Sequence, residues 1–130
     1  MSTNDAYLAI FLGSKASQKM KQWNELPEAE RQAKMQEGIA AWKAWVEKHQ
    51  AAIIGMGGPL GKTKKISPHG IEDISNEMGA YMVVRAESHE AAAKLFENHP
   101  HFTIFPGERV EAMPVLPIPG AQDACPPTKA

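Results

Sequence analysis

"AIIGMGGPLGKTKK", residues 52 to 65, decides the fold because its two halves invite different readings. The ending Gly61-Lys62-Thr63 resembles a phosphate-binding P-loop, whereas the apolar start resembles a strand running into a bend. A P-loop needs a glycine, four residues, then Gly-Lys-Ser/Thr, so that successive backbone N–H groups curl around phosphates and pass them to a helix N-terminus. Counting back from Gly61 puts that first glycine at position 56, which is Met56; Gly55 lies one residue early and Gly57 one late. Beyond it, Pro68 and Gly70 interrupt the required helix, and Ile66 belongs to a strand-like run. The stretch therefore reads as a strand over 51–56 that ends in a glycine-rich bend, its turn fixed by Pro59.

Other strands flank this one. "AYLAIFL", residues 6–12, is a short apolar run closed by Gly13-Ser14 and suits a buried strand. "MGAYMVVRA", 78–86, is rich in the β-branched and aromatic residues that fit a pleated surface. "ERVEAMPVL", 108–116, reads as a final strand, placed at an edge or strand end by Pro114, which lacks a ladder donor. The roughly twenty residues between the second and third strands are long for a bare loop. They hold two short candidates, "KKIS" and "IEDI", around Pro68-His69-Gly70, and predict a projecting hairpin arm.

Two main helices complete the pattern. Pro27, with Glu28 and Glu30 at the positive end of the dipole, opens one that runs to about His49, preceded by a loosely helical polar stretch, "SKASQKMKQWNE". Helical spacing puts Met35, Ile39, Trp42, Val46 and His49 on its inner face, with Trp45 on the flank; Trp42 is expected buried and Trp45 partly so. Ser88 is a good N-cap for the second, whose stripe of Ala92, Leu95 and Phe96 ends before Pro100.

The order β-α-β-(hairpin)-β-α-β is that of an α+β, ferredoxin-like split βαβ sandwich: an antiparallel sheet with two main helices on one face and an inserted hairpin. Two helices cover one side of the sheet. The apolar residues of the other side call for a second copy of the chain, so a homodimer is expected. The domain is read as 1–118, followed by a Pro-rich flexible tail, 119–130, that holds Cys125.

Fourteen basic residues against fifteen acidic ones give no field to draw the chain onto nucleic acid or an anionic membrane. No apolar run approaches a membrane span, and no basic residues precede the first apolar run as they would in a signal peptide. A single cysteine without an intrachain partner fits a reducing compartment, and a cytoplasmic location is the plain reading.

The chemistry-bearing residues are mainly histidines. His99-Pro100-His101 brings two imidazoles together, but no cysteine or well-spaced carboxylate accompanies them, so no metal is assigned. His49 reads as a partner for free carbonyls at the helix end, and His89, in a first helical turn, as solvated. His69 with Glu72 and Asp73 could form an acid/base set, although exposed hairpins carry such charges for solubility. Lys62, Lys64 and Lys65 read as a solvated loop sooner than an anion site.

Taken in order, "GGPL" after the second strand, the turn around Gly70, "GAYMVVRAESHEAAAKLFENHP" and "VEAMPVLP" resemble the YCII-related family in its DGPF-type subgroup, over Tyr7 to Pro117. The resemblance implies a dimeric α/β barrel of ferredoxin-like halves, a fold that also carries isomerase-like, dehydrochlorinase-like and heme-degrading enzymes. Some members of the family pair a histidine in the first long helix with an aspartate before a proline at the end of the second. Here the first position falls between Gly38 and Ala41 and holds no histidine; the second is His99. The subgroup's Asp-Gly-Pro-Phe signature is replaced by "EDISNEMGAY".

Two functions are compatible with this sequence. One is a small-molecule binder or enzyme with isomerase- or lyase-like acid-base chemistry. Its pocket between sheet and helices would be lined by Tyr7, Trp42, Met56, Tyr81 and His101, with His99 as general base. The other is a non-catalytic dimeric regulatory or protein-interaction module with a packed interior. No motif calls for a cofactor; a heme or flavin would rest on the shared fold alone. A cavity on the scale of roughly 300 Å³ or more separates the two.

Overall fold

The run of alternating small and bulky apolar residues from Asp5 to Leu12 forms the central strand, β1, of the computed structural model, which describes residues 5–119. Cys125 and nearly all of the expected tail lie outside the described residues. Alternation along β1 sends Tyr7, Ala9 and Phe11 to one face, where they are buried, and leaves Leu8 and Ile10 half-buried on the other. On the buried side they meet Met82 and Val84 of the antiparallel neighbour β5 (Met78–Ala86).

β2 (Ile53–Pro59) lies outside β5, and β6 (Arg109–Pro114) lies on the far side of β1. The strand order β2-β5-β1-β6, all antiparallel, is the ferredoxin-like order expected from the sequence. Between β2 and β5 the chain rises into β3 (Thr63–Ser67) and β4 (Gly70–Ile74), a separate two-stranded ladder. This is the predicted arm. Cross-strand pairs Lys64–Asp73 (2.6 Å) and Lys65–Glu72 (3.0 Å) hold it, so its acids are matched to lysines and not to His69.

The helices lie on one face. α1 (Gln18–Glu25) is capped by Ser17, whose hydroxyl accepts from the Met20 N–H, and α2 (Glu28–Lys48) follows Pro27. Of the face expected to turn inward on α2, Trp42 and Val46 pack against the core, but the helix comes closest to the rest of the fold elsewhere. Its buried residues are Gly38 and Trp45, whereas Met35 and Ile39 are exposed. Gly38 sits against the Phe105 ring, close enough that a Cβ there would overlap it, and makes this the closest approach of the helix.

The two tryptophans exchange their expected places: Trp45 is 9 % exposed and Trp42 is half-buried. Trp45 is drawn in because its indole N–H finds the Leu95 carbonyl at 3.0 Å and its ring stacks on Phe96. At the end of α2, His49 donates its Nδ1–H to the Trp45 carbonyl at 2.9 Å.

The expected second helix is shorter, ending at Lys94, and an unexpected short helix follows it. α3 (His89–Lys94) begins at Ser88, whose hydroxyl accepts from the Ala91 N–H at 3.0 Å. Asn98, with φ 59°, then reverses the chain in a left-handed conformation. α4 (Pro100–Thr103) opens with Pro100 in its first turn, where the missing N–H costs nothing. Nor is His89 merely solvated: Nε2–H donates to the Ala112 carbonyl at 2.8 Å, and its ring stacks on Tyr7.

Leu8, Ile10, Val83 and Met113, half-buried, and the exposed Tyr81 occupy the sheet face away from the helices. No helix among the described residues is long and apolar enough to cross a membrane.

Candidate functional site

The glycine-rich bend prepares the site. β2 slips register against β5 twice, and within the second slip Gly57 adopts φ 61°, where a side chain would be strained and its Cβ would overlap the Tyr81 carbonyl. This bend leaves a gap beneath α2. The gap is a cavity of about 700 Å³ walled by Trp42 and Val46 of α2, Met56 of β2, Phe11 and Met82 of the sheet, and Phe105. Ile39, Lys43 and Tyr81 also reach its wall, and His101 is its one imidazole.

Of the residues expected in the pocket, Trp42, Met56, Tyr81 and His101 come together. Tyr7 does not: it is buried deeper in the core under α3, stacked on His89. Neither is His99 part of the wall. It is 0 % exposed, enclosed by Phe11, Trp42, Trp45 and Phe96 at ring-centroid distances of 4.5–5.9 Å.

Enclosure sets the protonation of His99. Loss of hydration, reinforced by nearby His101 and His49, lowers its pKa from 6.5 to about 3, so the ring is neutral at physiological pH. Nδ1 accepts the His101 backbone N–H at 3.0 Å, which puts the ring proton on Nε2. That Nε2–H is buried with no hydrogen-bond acceptor; Trp42 stands perpendicular to the ring at 4.5 Å, a setting for an N–H···π contact. His99 thus caps α4 and presents His101. It is not poised to exchange protons near pH 7.

His101 is better placed. Its Nε2–H donates to the Leu12 carbonyl at 2.9 Å, which leaves Nδ1 with the free lone pair of the neutral ring. Burial lowers its pKa, the Leu12 and Arg109 carbonyls oppose that, and Lys19 adds to it. Gly107 packs against the imidazole with no room for a Cβ, so the ring is held from both sides.

Lys19 itself is fixed, donating from Nζ to the Phe102 carbonyl (2.7 Å) and the Gly107 carbonyl (2.8 Å) across the loop that carries His101. Replacing it by methionine is expected to raise the His101 pKa toward its ordinary value, because a neighbouring positive charge disfavours the imidazolium. An NMR titration of the imidazole in wild type and Lys19→Met checks this; an unchanged or lowered midpoint would contradict it.

A second cavity, of about 960 Å³, adjoins the first and shares Phe11, Gly79, His101 and Phe105 with it. It lies between the base of the arm, the 13–20 segment and the loop after α4. Among the described residues no three His, Cys, Asp or Glu side chains gather as metal ligands. The cavity walls come from residues far apart in sequence. A lone glycine within α2 and a Pro directly after His99 were the sequence signals for the close approach of α2 and the capped α4.

No family model matches the chain, and no curated protein matches it. Among solved structures, 5-chloro-2-hydroxyhydroquinone dehydrochlorinase from Burkholderia phenoliruptrix AC1100, in complex with 2,5-dihydroxybenzoquinone, is similar at 18 % identity and a TM-score of 0.48. The match covers 83 % of this chain and 90 % of that one.

Proposed function

We propose that the chain forms a homodimer through the open face of its sheet and binds a small apolar molecule beneath α2, with His101 as the proton-transfer group of an isomerase- or lyase-like reaction. The observation that carries this reading is the apolar cavity of about 700 Å³ with one neutral imidazole in its wall. Its volume falls within the usual range of ligand sites, and a packed module would have no use for it. Neutral His101 with a free Nδ1 can take a proton from a carbon acid, whereas His99 serves by holding the His101 backbone. Trp42, Phe11 and Met82 form the apolar wall against which the body of the ligand packs.

The dimer is supported by the apolar, half-exposed row of Leu8, Ile10, Val83 and Met113 on the uncovered face. Calorimetric titration with a neutral aromatic probe, 4-phenylbutanamide, tests the cavity. Saturable binding is expected in the wild type, and Met56→Arg, at a half-exposed wall position, should weaken it at least about tenfold by putting a charge in the apolar site. If the probe fails to saturate, or binds Met56→Arg equally well, the reading fails.

A further inference from the structure

The second cavity differs from the first in its charge. Lys15, Lys62 and Lys64 line it, with Asp73 and Glu77 as its acids. Asp73 is 2.6 Å from Lys64, and Glu77 is 3.4 Å from Arg109, which lies outside the lining and also pairs with Glu108 and Glu111. Lys15 and Lys62 have no acidic partner among the described residues. Two uncompensated ammonium groups thus face a space that opens beside His101, opposite the apolar cavity.

The two cavities meet at Phe11, Gly79, His101 and Phe105. On the apolar side an ionised group would find one cation, Lys43, in an otherwise apolar wall, and would lose most of its hydration. It can sit on the arm side, where long flexible lysines and the polar Thr63, Ser75 and Asn76 are at hand. A molecule filling both spaces has its apolar body under α2, its charge at the base of the arm, and the bonds between them beside His101.

We propose that the second cavity is an anion subsite, and that the ligand is an apolar organic acid whose carboxylate is held by Lys15 and Lys62. This rests on the reading of the first cavity as a binding site, and it names the substrate class for it. The arm then has a role: its first residues deliver Lys62, and its base closes the charged end of the site.

The test compares 4-phenylbutanoate with its neutral isostere 4-phenylbutanamide by calorimetry at neutral pH, on the full chain and on a Lys15→Met/Lys62→Met double variant. Because neither lysine makes a side-chain contact with an acid, the double variant keeps the fold. The acid is expected to bind the wild type about tenfold more tightly than the amide, from its charge-assisted contacts. That advantage should vanish in the double variant and shrink with added salt, while amide binding stays the same. Equal affinities for acid and amide in the wild type, or an advantage that survives the double substitution, would overturn the anion subsite and leave the apolar cavity intact. Failure of both probes to bind the wild type would remove the cavity reading and the subsite together.

Discussion

Phe11→Ala is expected to lower the free energy of unfolding by about 3–5 kcal/mol, the cost of removing a large aromatic side chain from a core that relaxes only in part. Phe11 is 1 % exposed, and the rings of Trp42, Phe96, His99 and His101 all lie within 6 Å of its centroid. Loss of the phenyl ring would leave these four without a common neighbour and would widen the junction at which the two cavities meet. Phe11→Leu, which retains much of the volume, should cost less, about 1–1.5 kcal/mol. Urea denaturation followed by circular dichroism measures both. A loss below about 1 kcal/mol for Phe11→Ala would mean that the aromatic cluster does not support the fold.

Acid should unfold this protein earlier than its carboxylates would predict, through His99. Its folded pKa, about 3, lies below the unfolded value of 6.5, so in mild acid the unfolded chain binds a proton that the native chain refuses. The contribution of His99 to stability is therefore complete above the unfolded pKa and is lost as pH falls from 6.5 toward 3. Between about pH 7 and about pH 5 the expected loss from this residue is about 2 kcal/mol. Burial of His101 shifts it in the same direction and adds to the loss.

His99→Asn isolates the effect. Asparagine keeps an N-cap acceptor for the His101 N–H and removes the titrating ring. The variant should be less stable at neutral pH, because it leaves space among the aromatic rings, yet its stability should fall less steeply with acid, by up to about one proton's worth. Denaturant midpoints across the pH range decide it. A variant with the same pH slope as the wild type would place the titration elsewhere.

The strands were readable in the sequence because each declares itself locally. Met78–Ala86 carries its β-branched and aromatic residues in one unbroken run, and Pro68-His69-Gly70 marks the tip of the arm. The long helix was equally plain from Pro27 and the first-turn glutamates. Where that helix approaches most closely was not. Hydrophobicity favours Met35 and Ile39, but close approach to Phe105 selects Gly38, and no periodicity reports a contact made 67 residues away. The roles of the two imidazoles were hidden for a related reason. His99 and His101 are two residues apart and look alike as letters; Asn98 and Pro100 send one into the aromatic core and leave the other at the wall of both cavities. Tyr7 lies on the helix-facing side of β1, but its position along the strand puts it under α3 and away from the cavity.

The two outer strands of the sheet also govern how copies of the chain can meet in solution. β2 is broken by two register slips and ends in Pro59, and β6 ends in Pro114. An incoming strand would find an interrupted row of donors on one border and a missing donor at the end of the other, so edge-to-edge growth into a continuous ribbon is discouraged. For this sheet, the apolar face proposed as the dimer interface is then the surface left for self-association.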